Sequence, residues 1–327
     1  MTGNAPPHVA VVVSTFNRAR LLPRLIAALE WQDTPLPFEV VIVDDASTDD
    51  TARILDSLAA AATIPVHVIH QQRNNGPATG RNAGWRASTA ALIAFTDDDC
   101  VPQRDWLAQL VCSLGIADIA QGRTAPNPEQ SHHLGPFSRT LDVPSMDGFF
   151  QTCNVGYRRE WLEQLGGFDE SFRHPAGEDT DLAWRAIEAG AQATFADNAV
   201  VHHDVRPSSA IATIRDSWRW EGIVLAVRNH PQLRSKLHNR WFWKPSHPPA
   251  LAAAAGLAVA TLSGSRAGRC AGLAMLLPYA KHRLADAPLP NCRRRERLSS
   301  LPAAFAVDAA EITTLAVASA RYRRLLL

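Results

Sequence analysis

The stretch ALIAFTDDDCVP (residues 91–102) runs from five consecutive apolar positions straight into three carboxylates. A short apolar run of this kind reads as a strand buried on both faces. Asp97, Asp98 and Asp99 repel one another and gain nothing from a core, so they belong at the strand's end, on a rim. In open α/β sheets ligands bind beyond the carboxyl ends of the strands. Closely spaced carboxylates there suit Mg²⁺ or Mn²⁺, hard cations held by one or two carboxylates together with substrate phosphates. The plain alternative is a solvated acidic turn.

Outward from this stretch, strands and helices alternate. VAVVVST (9–15), FEVVIVDD (38–45) and VHVIHQ (66–71) read as three more strands. Between the first two, Leu21, Leu22, Leu25, Ile26 and Leu29 recur at helical spacing, with Asn17 as the expected cap of a helix reaching Trp31. Ser47, Thr48 and Asp49 are cap candidates for a second helix. NNGPATGRNAG (74–84) reads as a glycine-rich turn entering a helix near Trp85, and RDWLAQLVCSL (104–114) as a further helix. The pattern predicts right-handed βαβ crossovers and a mostly parallel central sheet with helices on both faces. Thr15, Asp44, Asp45 and Asp97 to Asp99 then gather from three strand ends onto one rim.

After residue 115 the texture changes. A strand at 116–124 and a Pro/Ser/His-rich loop precede LGGFDESF (165–172), GEDTDLAWRAIEAG (177–190) and the strand-like ATFADNAVVHHDV (193–205). The acids Glu178, Asp179 and Asp181 fit a helix's first turn, where they favour the N-terminus by about 0.3–1 kcal/mol without any catalysis. A helix around 214–230 carries Trp218 and Trp220, which either stack on sugar or anchor the helix to a core. No P-loop, dinucleotide-binding glycine fingerprint or G-x-S-x-G elbow is present, which disfavours the nucleotide hydrolases, oxidoreductases and ester hydrolases those motifs serve. The five cysteines form no C-x-x-C pair, which argues against a disulfide framework or structural zinc and for a reducing compartment. The first residues lack the basic region of a secretory signal.

Charge is split along the chain. Residues 1–230 hold 18 basic and 28 acidic side chains; residues 231–327 hold 15 and 4. A basic tail implies a negative partner. The apolar runs 251–262 and 271–280 fall short of the ~20 residues that span a bilayer, so a hairpin or interfacial helices are expected. Basic clusters at 293–297 and 321–327 flank them. The rival is a helical cap whose arginines meet the chain's own acidic surface.

Six fragments in order, VAVVVSTFNR (9–18), VVIVDDASTDDT (40–51), NNGPATGRNAG, FTDDDCVP (95–102), LGGFDESF and GEDTDLAWRAIEAG, resemble the family 2 glycosyltransferases of the GT-A fold. The resemblance covers roughly residues 8–205 and not the last third. It implies an α/β GT-A domain, with 1–115 binding the nucleotide sugar and 116–230 serving acceptor and catalysis; composition and charge add 231–327 as a basic C-terminal helical extension. It implies that Thr15 lies by the nucleotide, that Asp45 accepts from the base, and that Arg81 faces the nucleotide or its phosphates. Asp99 would be the metal ligand, and either Asp97 or Asp98 would hold ribose or sugar. Asp179 would be the catalytic base, its proton affinity raised by Glu178 beside it. Of the two adjacent histidines, His202 is expected to complete the Mn²⁺ or Mg²⁺ site, with His203 the alternative. The implied reaction is metal-dependent, inverting transfer from a nucleotide-diphosphate sugar, UDP or dTDP favoured, to an acceptor hydroxyl of a lipid-linked or cell-envelope glycan. The charge split adds an expected place, the cytoplasm at the inner face of the plasma membrane. A sugar-phosphate nucleotidyltransferase is the rival enzyme, but the position after the first strand reads STFNRAR instead of a glycine-rich loop. A silent membrane-bound sugar-binding scaffold is the rival of another class.

Overall fold

The computed structural model describes residues 7–172, 174–285 and 294–327, without the side chains of 294–296. The basic cluster at 293–297 therefore lies largely outside the described residues. The chain forms two compact units, Met1–Pro128 with Thr140–Asp204, and Glu129–Arg139 with Val205–Leu327.

The first unit is built on eight strands: β1 (Val9–Thr15), β2 (Phe38–Asp44), β3 (Val66–His70), β4 (Leu92–Thr96), β5 (Cys100–Pro102), β6 (Ile119–Pro126), β7 (Asn154–Arg158) and β8 (Ala193–His203). Their order is β3-β2-β1-β4-β7-β6-β8-β5. The four strands β3, β2, β1 and β4 are parallel throughout. Beyond β4 the sheet becomes mixed: β7 is antiparallel to β4 and β6, β8 is parallel to β6, and β5 is antiparallel to β8. The strand order reverses at β1, whose neighbours β2 and β4 leave a crevice at their carboxyl ends.

Helices α1 (Leu22–Glu30), α2 (Thr51–Ala61), α3 (Pro77–Ala87), α4 (Trp106–Leu114), α5 (Arg159–Leu165) and α6 (Glu178–Glu188) belong to this unit. Successive residues of β1 feed opposite faces of the sheet. Val9, Val11 and Val13 pack with Leu22, Leu25, Trp106 and Leu110 of α1 and α4. Ala10 and Val12 pack with Trp85, Leu162 and Leu182 of α3, α5 and α6. Each fully buried Val or Leu contributes roughly 1.5–3 kcal/mol, so β1 is the keel of the unit.

Two local expectations are corrected. Asn17 does not cap α1, which begins at Leu22. Asn17 instead takes a left-handed backbone (φ 54°), and its Oδ1 accepts from the Thr48 and Asp49 amides at 2.8 and 3.3 Å. It ties two rim loops together. The G-R-N-A-G segment is helix, not turn, because α3 starts at Pro77. Its glycines serve close approach: a Cβ on Gly80 would lie 2.3 Å from Ser14 Oγ, and one on Gly84 2.5 Å from Val12 Cγ1. Bare backbone thus lets α3 lie on β1.

The second unit contains α7 (Ala210–Arg215), α8 (Glu221–Asn229), α9 (His247–Leu262), α10 (Arg266–Ala274), α11 (Leu277–Ala285) and α12 (Arg294–Tyr322). By length and composition Arg297–Tyr322 could cross a membrane. Here α12 packs against α7, α8, α9 and α11, and its two buried acids are bound by its neighbours. Asp308 accepts from Ser246 (3.0 Å) and Tyr279 (2.7 Å) and pairs with Arg283. Glu311 pairs with Lys244 (2.7 Å) and His247 (3.3 Å) and accepts from Trp220 Nε1 (3.2 Å). Trp220 also lies against Trp243 (5.2 Å between rings) and is the anchoring tryptophan, whereas Trp218 is exposed.

Candidate active site

The β4–β5 turn sends its three acids in different directions. Asp98 turns back to β1, its Oδ2 accepting from Thr15 Oγ1 at 2.7 Å with Arg18 Nε 3.5 Å from its other oxygen. Asp97 pairs with Arg81 at 2.9 Å. Asp99 faces the end of β8. Burial, reinforced by Asp99, pushes the Asp98 carboxyl up to about 7, against the hydrogen bond from Thr15.

Strand pairing delivers the partner of Asp99. Cys100 stands opposite His203 and Val101 opposite His202, and the Asp204 amide donates to the Asp99 carbonyl at 2.8 Å. His203 Nε2 lies 3.5 Å from Asp99 Oδ1. His202 does not reach this place: neighbouring residues of a strand point to opposite faces, and its Nε2 meets Gln103 at 3.3 Å. The expectation of His202 is therefore corrected to His203. The His203 ring is also oriented. Its Nδ1 is 2.9 Å from the Asp204 carbonyl, which can only accept, so Nδ1 carries a hydrogen and Nε2 is the nitrogen on the side of Asp99. A metal-bound histidine is commonly held this way by its second nitrogen. An imidazole nitrogen and a carboxylate oxygen at this distance can both reach one cation. Asp99, Cys100 and His203 together place their ligand atoms within 4.8 Å of one another. The Cys100 thiol is buried and pushed well up by that burial, and it hydrogen-bonds with Cys153.

The other half of the site is the start of α6. Gly177 precedes it with φ 95°, a left-handed turn that glycine takes without strain. Glu178 is buried; one oxygen accepts from Arg81 at 2.9 Å and the other from the Ala176 amide at 2.8 Å. Asp179 is half-buried and accepts from its neighbour Thr180 through the amide (2.8 Å). Burial first, then the Glu178 charge, push the Asp179 carboxyl up to about 8, against the pull of Arg81.

Arg81 is held by the site's own acids. Its two terminal nitrogens are engaged by Asp97 and Glu178, its guanidinium lies 5.8 Å from the Phe168 ring centroid, and the residue is 5% exposed. Burial works against its charge, and the two carboxylates more than offset that. Arg81 thus joins the strand-end acids to the helix-start acids. It reaches both because α3 lies so close to β1. Next to it, Asn82 binds the Phe168 amide and carbonyl, both at 2.9 Å, fixing the Gly166–Gly167 turn, whose residues have φ of 74° and 83°. Asp181 is buried and paired with Arg185 (2.8 Å), which also holds the Leu165 and Gly167 carbonyls; it is a structural acid.

At the end of β2, Asp45 accepts from the Asn75 and Gly76 amides, both at 2.9 Å, and Asp44 from the Ser47 amide at 3.0 Å and from His70 at 3.1 Å. A carboxylate offers about four lone-pair directions, so Asp45 retains acceptor capacity. Burial raises its proton affinity. Sequence reasoning missed Arg18, Asn82 and Thr180, and preferred the wrong histidine. A signal existed for His203: Ala199, Val201 and His203 share one phase of β8, but Val200 is apolar too and blurs the alternation.

The arrangement offers a cation site, a proton acceptor of raised affinity, and a buried cation joining their two halves. Comparison with known proteins addresses the family and the fold. The family model for glycosyl transferase family 2 matches residues 10–166. These residues form a family 2 glycosyltransferase domain. Over 299 residues, 84% of this chain and 61% of the relative, the chain is 30% identical to a pre-mycofactocin glycosyltransferase of Mycobacterium tuberculosis. Over 270 residues it is 24% identical to a chondroitin synthase of Pasteurella multocida, covering 70% of this chain and 28% of that one. The chain thus spans less than two thirds of these relatives. The glycosyltransferase fold is shared with a mannosyltransferase from Pyrobaculum calidifontis in complex with GDP-Man and Mn²⁺, at TM-score 0.63 and 21% identity, covering 94% and 87% of the two chains. It is shared too with S. aureus TarS 1–349 in complex with UDP-GlcNAc, at TM-score 0.53 and 17% identity, covering 96% and 91%.

Proposed function

We propose that this chain is a metal-dependent, inverting glycosyltransferase that moves a sugar from a nucleoside-diphosphate donor to an acceptor hydroxyl. The observation that carries this reading is that one unit holds both the oriented Asp99–His203 pair and a carboxyl, Asp179, of raised proton affinity, with Arg81 linking their neighbours. Residues 1–115 hold the donor: Thr15 and Asp98 at the β1 end, and Asp45 toward the base, where its remaining lone pairs suit the imide N–H of UDP or dTDP. Asp99 and His203 are the residues that hold Mn²⁺ or Mg²⁺. Bound there, the ion neutralises charge developing on the departing diphosphate. Asp179 takes the proton of the acceptor hydroxyl as its oxygen attacks the anomeric carbon; the new C–O bond forms while the bond to the diphosphate breaks, inverting that carbon. Arg81 holds Glu178 in place beside Asp179 and screens its charge. The basic second unit places the enzyme at the cytoplasmic face of the membrane, where lipid-linked acceptors are found.

Thermal-shift screening tests this. The true donor in the presence of Mn²⁺ stabilises the protein by RT ln(1 + [L]/Kd). GDP-Man, UDP-GlcNAc and dTDP-sugars are the first candidates, the first two because the structural neighbours hold them. No stabilisation by any nucleotide sugar, with or without the metal, would overturn the reading.

A further inference from the structure

Helix α9 has no charged side chain from Pro248 to Leu262 and is apolar on every side. Such a helix is normally buried all round. Here only a narrow stripe, Ala250, Ala253 and Gly256, is covered together with the N-terminal His247. Ala250 and Ala253 pack with Tyr279 of α11 and Ile312 of α12, and Gly256 carries the contact with α10: a Cβ on Gly256 would lie 2.5 Å from the Gly272 carbonyl oxygen, and one on Gly272 2.5 Å from that of Gly256. The two helices form a glycine-sealed hairpin. The hairpin leaves Leu257, Val259, Leu262 and Leu273 exposed by 39, 44, 85 and 54%, and Leu277, which opens α11, is exposed by 67%. Several large apolar side chains left bare on one element mark an interaction site.

We propose that the outer side of the α9–α10 hairpin is a docking surface for an anionic lipid bilayer, lying in the plane of the interface. Charge selects this occupant. Residues 247–285 contain no Asp or Glu, and Arg266 and Arg269 project at the start of α10 where the hairpin turns. An apolar surface framed only by basic residues matches acyl chains beside headgroup phosphates. Length and charge set the depth. At 1.5 Å per residue, α9 is about 24 Å long, short of the roughly 30 Å hydrocarbon core. Arginines at the turn forbid burying the tip end-on; lying flat, they reach the phosphates while the leucines enter the acyl boundary. This deepens the membrane part of the functional reading, and its test involves no sugar transfer, so either can fail alone.

The test is co-sedimentation of the full chain with vesicles of phosphatidylcholine, alone or with one third phosphatidylglycerol. The wild type binds the anionic vesicles, and binding weakens with salt. The pair Leu257→Gln/Leu262→Gln lowers affinity about tenfold or more, as lost burial of two leucines requires. The pair Arg266→Gln/Arg269→Gln abolishes the preference for anionic vesicles. All four positions are exposed, and thermal melts of the variants check their folding. As a second measurement, an environment-sensitive dye on the exposed Cys270, with Cys112 and Cys292 replaced by serine, shifts to shorter wavelength on anionic vesicles. Absence of vesicle binding, equal binding by both variant pairs, or a self-associated form that covers the hairpin and that vesicles do not displace each overturns the proposal.

Discussion

Two sets of buried acids divide the labour of this molecule. In the second unit Asp308 and Glu311 are fully met by partners. Burial alone would raise Glu311, but the hydrogen bond from His247 and the charge of Lys244 hold it down at about 2. In the first unit Asp98 and Asp179 each lie beside other carboxylates, and burial reinforced by those charges pushes them up to about 7 and 8 against the pull of Arg18 and Arg81. The same side-chain chemistry is stabilising where cations outweigh burial and costly where burial and like charge outweigh the cations. Such perturbed carboxyls cluster at functional sites, which is why the proposed chemistry is assigned to the first set.

The sharpest way to break this contrast is at the base. Asp179→Asn should cut turnover by about 10²–10⁴-fold while leaving the donor-induced thermal shift in place. Unchanged turnover would remove Asp179 from the mechanism. Next, the two sets should respond oppositely to neutralisation. Glu311→Ala removes the buried carboxylate that Lys244, His247 and Trp220 share and should cost about 3–5 kcal/mol in urea unfolding. Asp98→Asn should instead raise the melting temperature of the metal-free protein at pH 8 by a few degrees, since each kcal/mol is worth about 2–4 °C in domains of this size. Destabilisation by both would sink the comparison.

The pH response separates the sets further. Asp98 and Asp179 have raised folded-state affinities, so the stability they contribute is present at low pH and lost as pH rises through about 7 and 8. Glu311, lowered from 4.5, contributes stability above that value, lost as pH falls toward about 2. The melting temperature of the metal-free protein should therefore decline from about pH 4 to about pH 8 and level off above, and Mn²⁺ should flatten that decline. A decline equally steep with saturating Mn²⁺ would count against the cation site. Transfer itself should rise with pH as Asp179 ionises. The smallest effect is a control: Arg53 and Asp50 form an exposed i,i+3 pair, and Arg53→Ala should change stability by no more than about 0.5 kcal/mol.

Much of the first unit was legible because its signals are local. β1, β2 and β4 are apolar runs long enough to be recognised, and acids at their ends stand out against them. What escaped depends on distance in sequence. The acid partners of Arg81 escaped because nothing in G-R-N-A-G reveals that α3 lies on β1 through Gly80 and Gly84, putting the guanidinium between Asp97 and Glu178. The histidine choice turned on strand phase, which the adjacent Val200 and Val201 conceal. In the tail, Asp308 and Glu311 look like surface charges on a helix until Lys244, His247 and Arg283 are seen around them. The apolar runs at 251–262 and 271–280 did announce helices, but only the glycine contact shows which side of α9 is sealed and which is left bare.

The pairing of β5 with β8 has a consequence for the order in which the protein matures. Asp99 emerges from the ribosome with the first strands, whereas His203 follows only after α4, β6, β7, α5 and α6 have been made. A cation held by Asp99 and His203, as proposed, would not find both ligands on a partial chain, so its capture would be a late event in synthesis and a natural report that the whole first unit has closed.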